Sequence, residues 1–142
     1  MRAIQKFTRV PLPDRILLLR AVLLVILIRL GLWAIPFNLL YRLLGGCLKS
    51  QGSDIHSEER LVWAVRAAAR RIPCASCLTQ ALALQFLMAR TGQRSSVQIG
   101  IAKDNKGNFE AHAWVEARGR ILLNTPAEIA RYTRLTSMDR PA

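Results

Sequence analysis

Hydrophobic residues in this chain are spaced in three ways, and each spacing predicts a different element. From Ile16 to Leu48 they run almost without interruption, and the only charges are Arg20, Arg29 and Arg42. We read two helices here, about 14–33 and 36–48, with Pro36 in the first turn of the second, where a missing N–H costs nothing. Leu61, Val62, Val65, Ala68, Ala69 and Ile72 then recur at the three-and-four spacing of one helix face. Ser57 suits the N-cap of that helix. Glu58 and Glu59 stand in its first turn and Arg70 and Arg71 in its last, which complements the helix dipole. Pro73 stops it. Ser76 caps a further helix, Cys77 to Arg90, which buries Leu78, Leu82, Phe86 and Leu87 and ends before Gly92.

Beyond Gly92 the period falls to two. Ser96–Lys103 and Phe109–Ala117 read as strands around the turn cluster Asp104–Asn108, and Arg120–Asn124 reads as a third. A short helical piece follows Thr125, and the pattern then fades. The strands predict a three-stranded antiparallel meander. If Ala117-Arg118-Gly119 forms a three-residue loop, Glu116 pairs with Arg120 and His112 lies opposite Asn124. Trp114 and Leu122 then share the His112 face, while Ala113, Val115, Ile121 and Leu123 line the other. A two-residue turn would shift the register by one and carry Asn124 to the wrong face.

Composition narrows the class. With 51% hydrophobic residues in 142, the chain has ample surface to bury and is not disordered. Three cysteines (Cys47, Cys74 and Cys77) are too few, and odd in number, for a disulfide scaffold. The net charge is +12, and 17 of the 21 basic residues are arginine. That balance points to an acidic partner: nucleic acid, anionic lipid or an acidic polypeptide. Residues 1–50 hold 8 basic residues against the single acid Asp14, and 51–142 hold 13 against 8. The turn-rich stretch from Gly45 to Ser53 divides an apolar, basic helical region, 1–52, from a core at 53–142.

A transmembrane span needs about 20 mostly apolar residues. The longest charge-free stretches are Ala21–Ile28 and Leu30–Tyr41, and the second contains Pro36. Arg20 and Arg29 lie about half a turn out of phase, which does not suit a helix surrounded by lipid. A small-residue cleavage pattern for a secretory signal is missing. Two readings stay open for this region: a core-buried hairpin, or a surface (residues 14–48) that docks on a membrane or a partner.

Three residues carry the candidate chemistry: Cys77, His112 and Asn124. A lone cysteine is usually a small buried hydrophobe. Cys77, however, opens a helix, where unpaired N–H groups and the positive dipole end favour a thiolate. The only other histidine, His56, falls in the polar break, so His112 is the better general base. A helix-borne Cys, a strand-borne His and an amide on the next strand form a nucleophile, a base and an orienter for acyl transfer through a thioester. The Cys77 backbone N–H is a natural oxyanion donor, and Gln80 or Gln98 could add a side-chain donor.

The segments CLTQALALQFLMARTGQ, VQIGIA and AHAWVEARGRILLN resemble the transglutaminase-like cysteine peptidases of lasso-peptide biosynthesis. These are the B proteins, in the form where the peptidase stands apart from its leader-binding partner. The likeness runs from about Pro73 to Asn124, and the apolar, arginine-punctuated N-terminal helices are similar too. It implies an α+β fold of the transglutaminase/papain type, a nucleophile helix packed on a small antiparallel sheet. The family's nucleophile falls on Cys77 and its base on His112. Its third member, usually Asp, falls on Asn124, and Asp104 and Glu116 are fallback orienters. The implied reaction hydrolyses one peptide bond of a ribosomally made precursor and releases its leader. The implied partners are that precursor, a separate leader-recognition protein and an ATP-dependent lasso cyclase. No cofactor, metal or nucleic acid is implied, and the expected location is cytoplasmic, with contact at the inner membrane face left open.

Other classes leave weaker traces. Cys74-Ala75-Ser76-Cys77 is a C-x-x-C at a helix start, but no hydrophobic strand precedes it as in thioredoxin-like redox proteins. Cys74, Cys77 and His112 are candidate zinc ligands, with Cys47 or His56 as a remote fourth, yet the second close pair of a structural site is missing. Aromatic-basic interleaving for nucleic acid is absent. A non-catalytic docking scaffold built on the N-terminal region is the main alternative to the peptidase.

Overall fold

The computed structural model describes residues 11–46, 57–73 and 75–140. Cys47, His56 and Cys74 lie outside them, as does most of the Gly45–Ser53 break. Helix α1 spans Leu12–Ala34. It is rich in leucine and free of interior proline, and it ends where Ile35 is extended (φ −133°, ψ 156°), as a residue before proline must be. Helix α2 is Phe37–Gly46 and α3 is Glu58–Ala69, with Ser57 as its cap. Helix α4 runs Cys77–Arg90, the bounds its sequence predicts. Strands β1 (Ser95–Lys103), β2 (Phe109–Ala117) and β3 (Arg120–Leu122) follow, then the single turn α5 (Pro126–Ile129) and β4 (Thr133–Arg140).

The sheet is antiparallel with strand order β3-β2-β1-β4, so the fold is α+β. α4 rests on β1 and β2, and α1 covers α3 and α4. One apolar core runs through all three layers. It joins Leu17, Ala21 and Val25 of α1 to Leu61 and Val65 of α3, to Leu82 and Leu84 of α4, and to Val97, Val115 and Leu122 of the sheet. The first helix is therefore part of the same core as α4, the helix that Cys77 opens. An Arg60–Asp14 ion pair joins α3 to α1 as well. By length and composition α1 could cross a membrane, but 28% of its most apolar window is buried in the protein.

Two sequence expectations are corrected. The chain does not fade after α5, because β4 completes a fourth strand on the free edge of β1. Its pattern was illegible because a bulge opposite Ile99 and Gly100 leaves Leu135 as an extra residue, and the alternation changes phase there. The β2–β3 connection is a two-residue turn, Arg118-Gly119, with φ of 51° and 75°. Two positive φ values give the turn whose twist matches the strands. Ala117 consequently pairs with Arg120, Glu116 with Ile121 and Val115 with Leu122.

Candidate active site

Cys77 is the first residue of α4, half-buried and not in a disulfide. The segment that places it is tied down on both sides. The Thr79 N–H donates to Ser76 Oγ at 3.2 Å, and the Ser76 and Thr79 hydroxyls share a hydrogen bond of 2.9 Å. Gln80 Nε2 donates to the Ala75 carbonyl at 3.1 Å. Leu78 packs against the core, which fixes the rotation of the first turn. The N–H groups of Cys77 and Leu78 are the unclaimed donors of a helix start. Such donors are able to bind an anionic oxygen at the start of α4. Gln98 cannot serve as one, because both hydrogens of its amide are taken, by Ser96 Oγ and Ser137 Oγ at 2.8 Å each.

Asn124 does not stand opposite His112. The shortened turn moves the register by one, and the ladder stops at Leu122. Leu123 then takes a left-handed conformation, φ 70°, which turns the chain out of the sheet. Asn124 lines a groove of about 800 Å³ together with Gln80, Leu122 and Leu123 on one side and Val62, Trp63, Arg66 and Arg70 of α3 on the other. The structure thus brings Asn124 to the groove that the first turn of α4 borders.

His112 is half-buried in mid-β2, with Gly100 of β1 directly across. It shares a face with Trp114 and Glu116, whereas Ala113, Val115 and Ala117 alternate onto the face that α4 covers. Its ring stacks against Tyr132 (centroids 5.2 Å apart) and Trp114 (6.4 Å), which are themselves 6.4 Å apart, so the three rings form a triangle. No hydrogen bond joins it to Cys77. Gly100 is what allows the stack: a Cβ there would meet Trp114 Cη2 and the Thr133 carbonyl oxygen at 2.9 Å each.

The fallback orienters are committed elsewhere. Asp104 holds the β1–β2 turn by accepting from the N–H groups of Lys106 (2.8 Å) and Asn108 (2.9 Å), which keep its carboxyl below the usual range. Glu116 Oε1 accepts from Trp114 Nε1 at 3.0 Å and from Arg134 at 2.6 Å. Glu128 of α5 is a carboxylate on which His112 acts electrostatically, more weakly than the groups that cap it. The Thr125 N–H donates to it at 2.7 Å, and Glu128 N–H donates back to Thr125 Oγ1 at 3.3 Å. Its carboxyl is held low first by the Thr125 N–H and next by the Thr125 side chain. A side-chain hydrogen bond from Asn124 and the electrostatic influence of His112 lower it further. Sequence reasoning missed Glu128. The signal was the capping box Thr125-Pro126-Ala127-Glu128, which fixes a carboxylate one turn beyond the Asn that replaces the expected Asp.

A family model described as the transglutaminase-like superfamily matches residues 21–137, most of the chain and part of α1. No curated protein and no solved structure matches.

Proposed function

This chain belongs to the transglutaminase-like superfamily, whose fold is that of cysteine peptidases, and we propose that it removes the leader from a lasso-peptide precursor. The reading rests on a free, half-buried Cys77 as first residue of a serine-capped helix in that fold. The Cys77 thiolate attacks the scissile carbonyl, and the N–H groups of Cys77 and Leu78 hold the oxyanion. His112 takes the thiol proton and delivers it to the departing amine. Water, deprotonated by His112, then opens the thioester and frees the carboxylate.

His112 lies on the sheet face opposite to the one α4 covers, so this reading requires substrate binding to bring imidazole and thiol together. Catalytic hydrogen bonds are often long without substrate and tighten when it binds. Asn124, facing the groove, and Glu128, which interacts electrostatically with His112, share the work that one Asp does in the family. An amide orients a neutral imidazole, and the carboxylate supplies the charge that stabilises an imidazolium. The groove between α3 and β3 takes the peptide. Its charged walls, Glu58, Glu59, Arg66 and Arg120, suit a polar substrate. Recognition is completed by a separate leader-binding protein, and a cyclase consumes the product. The reaction needs no metal or cofactor.

The test is cleavage of a lasso-peptide precursor, followed by mass, with its leader-recognition protein present. Cys77→Ala, His112→Ala and prior alkylation should each abolish leader release. Asn124→Ala should lose far more activity than Asn124→Asp. Full activity of Cys77→Ala or His112→Ala would exclude the mechanism.

A further inference from the structure

Helix α1 presents an apolar row that none of the described residues covers. Leu19, Leu23, Leu27 and Leu30 are 53–64% exposed and Trp33 is 85% exposed. The opposite side of the same helix, Leu17, Ala21, Val25 and Ile28, is buried in the core. A helix exposed on one side and locked into the core on the other cannot leave to cross a bilayer, but it can lie on one. Arg20 and Arg29, half a turn apart, acquire a meaning here. They stand about a quarter turn to either side of the row formed by Leu19, Leu23 and Leu30. Arginines that flank an apolar stripe on both sides sit at headgroup level when the stripe enters the acyl boundary.

We propose that the exposed face of α1 docks this protein on an anionic membrane surface, with Leu23 and Leu27 inserted and Arg20 and Arg29 against the headgroups. Charge favours an anionic lipid surface over a second copy of this chain. Asp14 is the one acid among residues 11–46, and it pairs with Arg60. Arg2, Lys6 and Arg9 precede the helix in sequence and add to the attraction. A symmetric dimer through this face would set the same arginines against each other, a like-charge contact that costs affinity. The face belongs to the outer helix layer, away from the sheet, so docking leaves the His112 face free.

The experiment uses the full chain and flotation with vesicles of phosphatidylcholine alone or mixed with phosphatidylglycerol. The chain should float with the anionic vesicles, less so as salt rises, and its fluorescence should shift to the blue, a shift lost in Trp33→Phe. Leu23→Gln with Leu27→Gln should weaken partitioning by roughly tenfold per leucine. Arg20→Gln and Arg29→Gln should each cost roughly fivefold on anionic vesicles alone. These positions border solvent, and an unchanged far-ultraviolet spectrum verifies the fold. Failure to float would overturn the proposal, as would salt-insensitive binding to neutral vesicles. So would self-association in sedimentation that the leucine variants abolish, since a second copy would then cover the face.

Discussion

Ser76→Ala separates the capping of α4 from everything else that holds the nucleophile helix. The Ser76 hydroxyl does two things. It accepts the Thr79 N–H (3.2 Å), and it shares a hydrogen bond with the Thr79 hydroxyl (2.9 Å), whose residue is fully buried. Losing an N-cap costs about 1 kcal/mol. Stranding a buried hydroxyl costs about 1 kcal/mol more, at the low end of the range because Ser76 itself borders solvent. The expected loss is about 2 kcal/mol, roughly a thirtyfold drop in the folding constant. Urea unfolding should show it as a lower midpoint with an unchanged slope. Adding Thr79→Val removes the stranded hydroxyl and should return about 1 kcal/mol, whereas Ser76→Asp should keep the cap. The alkylation rate of Cys77 should fall in Ser76→Ala, because a frayed first turn no longer aims its N–H groups at the thiolate. A loss under about 0.5 kcal/mol, or no recovery in the double variant, would refute this account of how Cys77 is positioned.

Two further variants probe the sheet. Gly100→Ala puts a methyl group against Trp114 and the Thr133 carbonyl, so Trp114 must tilt; about 1–3 kcal/mol should be lost and the near-ultraviolet circular dichroism altered, and wild-type values of both would count against the packing of the His112 stack. Arg118→Asn places a residue that tolerates positive φ in the two-residue turn and should raise stability by several tenths of a kcal/mol in urea unfolding; a destabilised variant would contradict the turn and the register it fixes.

The helices and the first two strands were legible because each is written locally. Ser57 and Ser76 mark helix starts with their hydroxyls, and Phe109–Ala117 alternates without a break. What escaped were features decided by one residue's conformation. Arg118 adopts φ 51° although it has a Cβ, so the turn is one residue shorter than its glycine alone suggests. That single residue moves Leu122 to the α4 side and Ile121 to the His112 side. Leu123 at φ 70° then ends β3 early, and no alternation rule anticipates it. The placement of Cys77 at a helix start and of His112 on a strand was legible, since both elements are visible in the sequence. Glu128 was missed because it comes under the electrostatic influence of His112 only once the chain has left the sheet. The N-terminal helix was readable as apolar, but its two unlike faces appear only when α3 and α4 cover one of them.

The partner of the central strand arrives late. β1 is formed by residues 95–103, yet one of its edges is closed only by residues 133–140, after every other element has been made. During synthesis at the ribosome that edge stays bare. So does a polar group deep in the nucleophile helix: Gln85 of α4, 1% exposed, donates to the Met138 carbonyl of β4 at 2.8 Å. Until β4 docks, this buried amide lacks its best acceptor, and an unmet amide inside a core opposes closure. The helix that carries the thiol is thereby coupled to the edge strand β4. A nascent chain still lacking β4 would leave Gln85 with only the longer bond to the Ser95 carbonyl (3.4 Å) as an outlet for its amide, so the helix that bears Cys77 settles with the finished sheet rather than ahead of it.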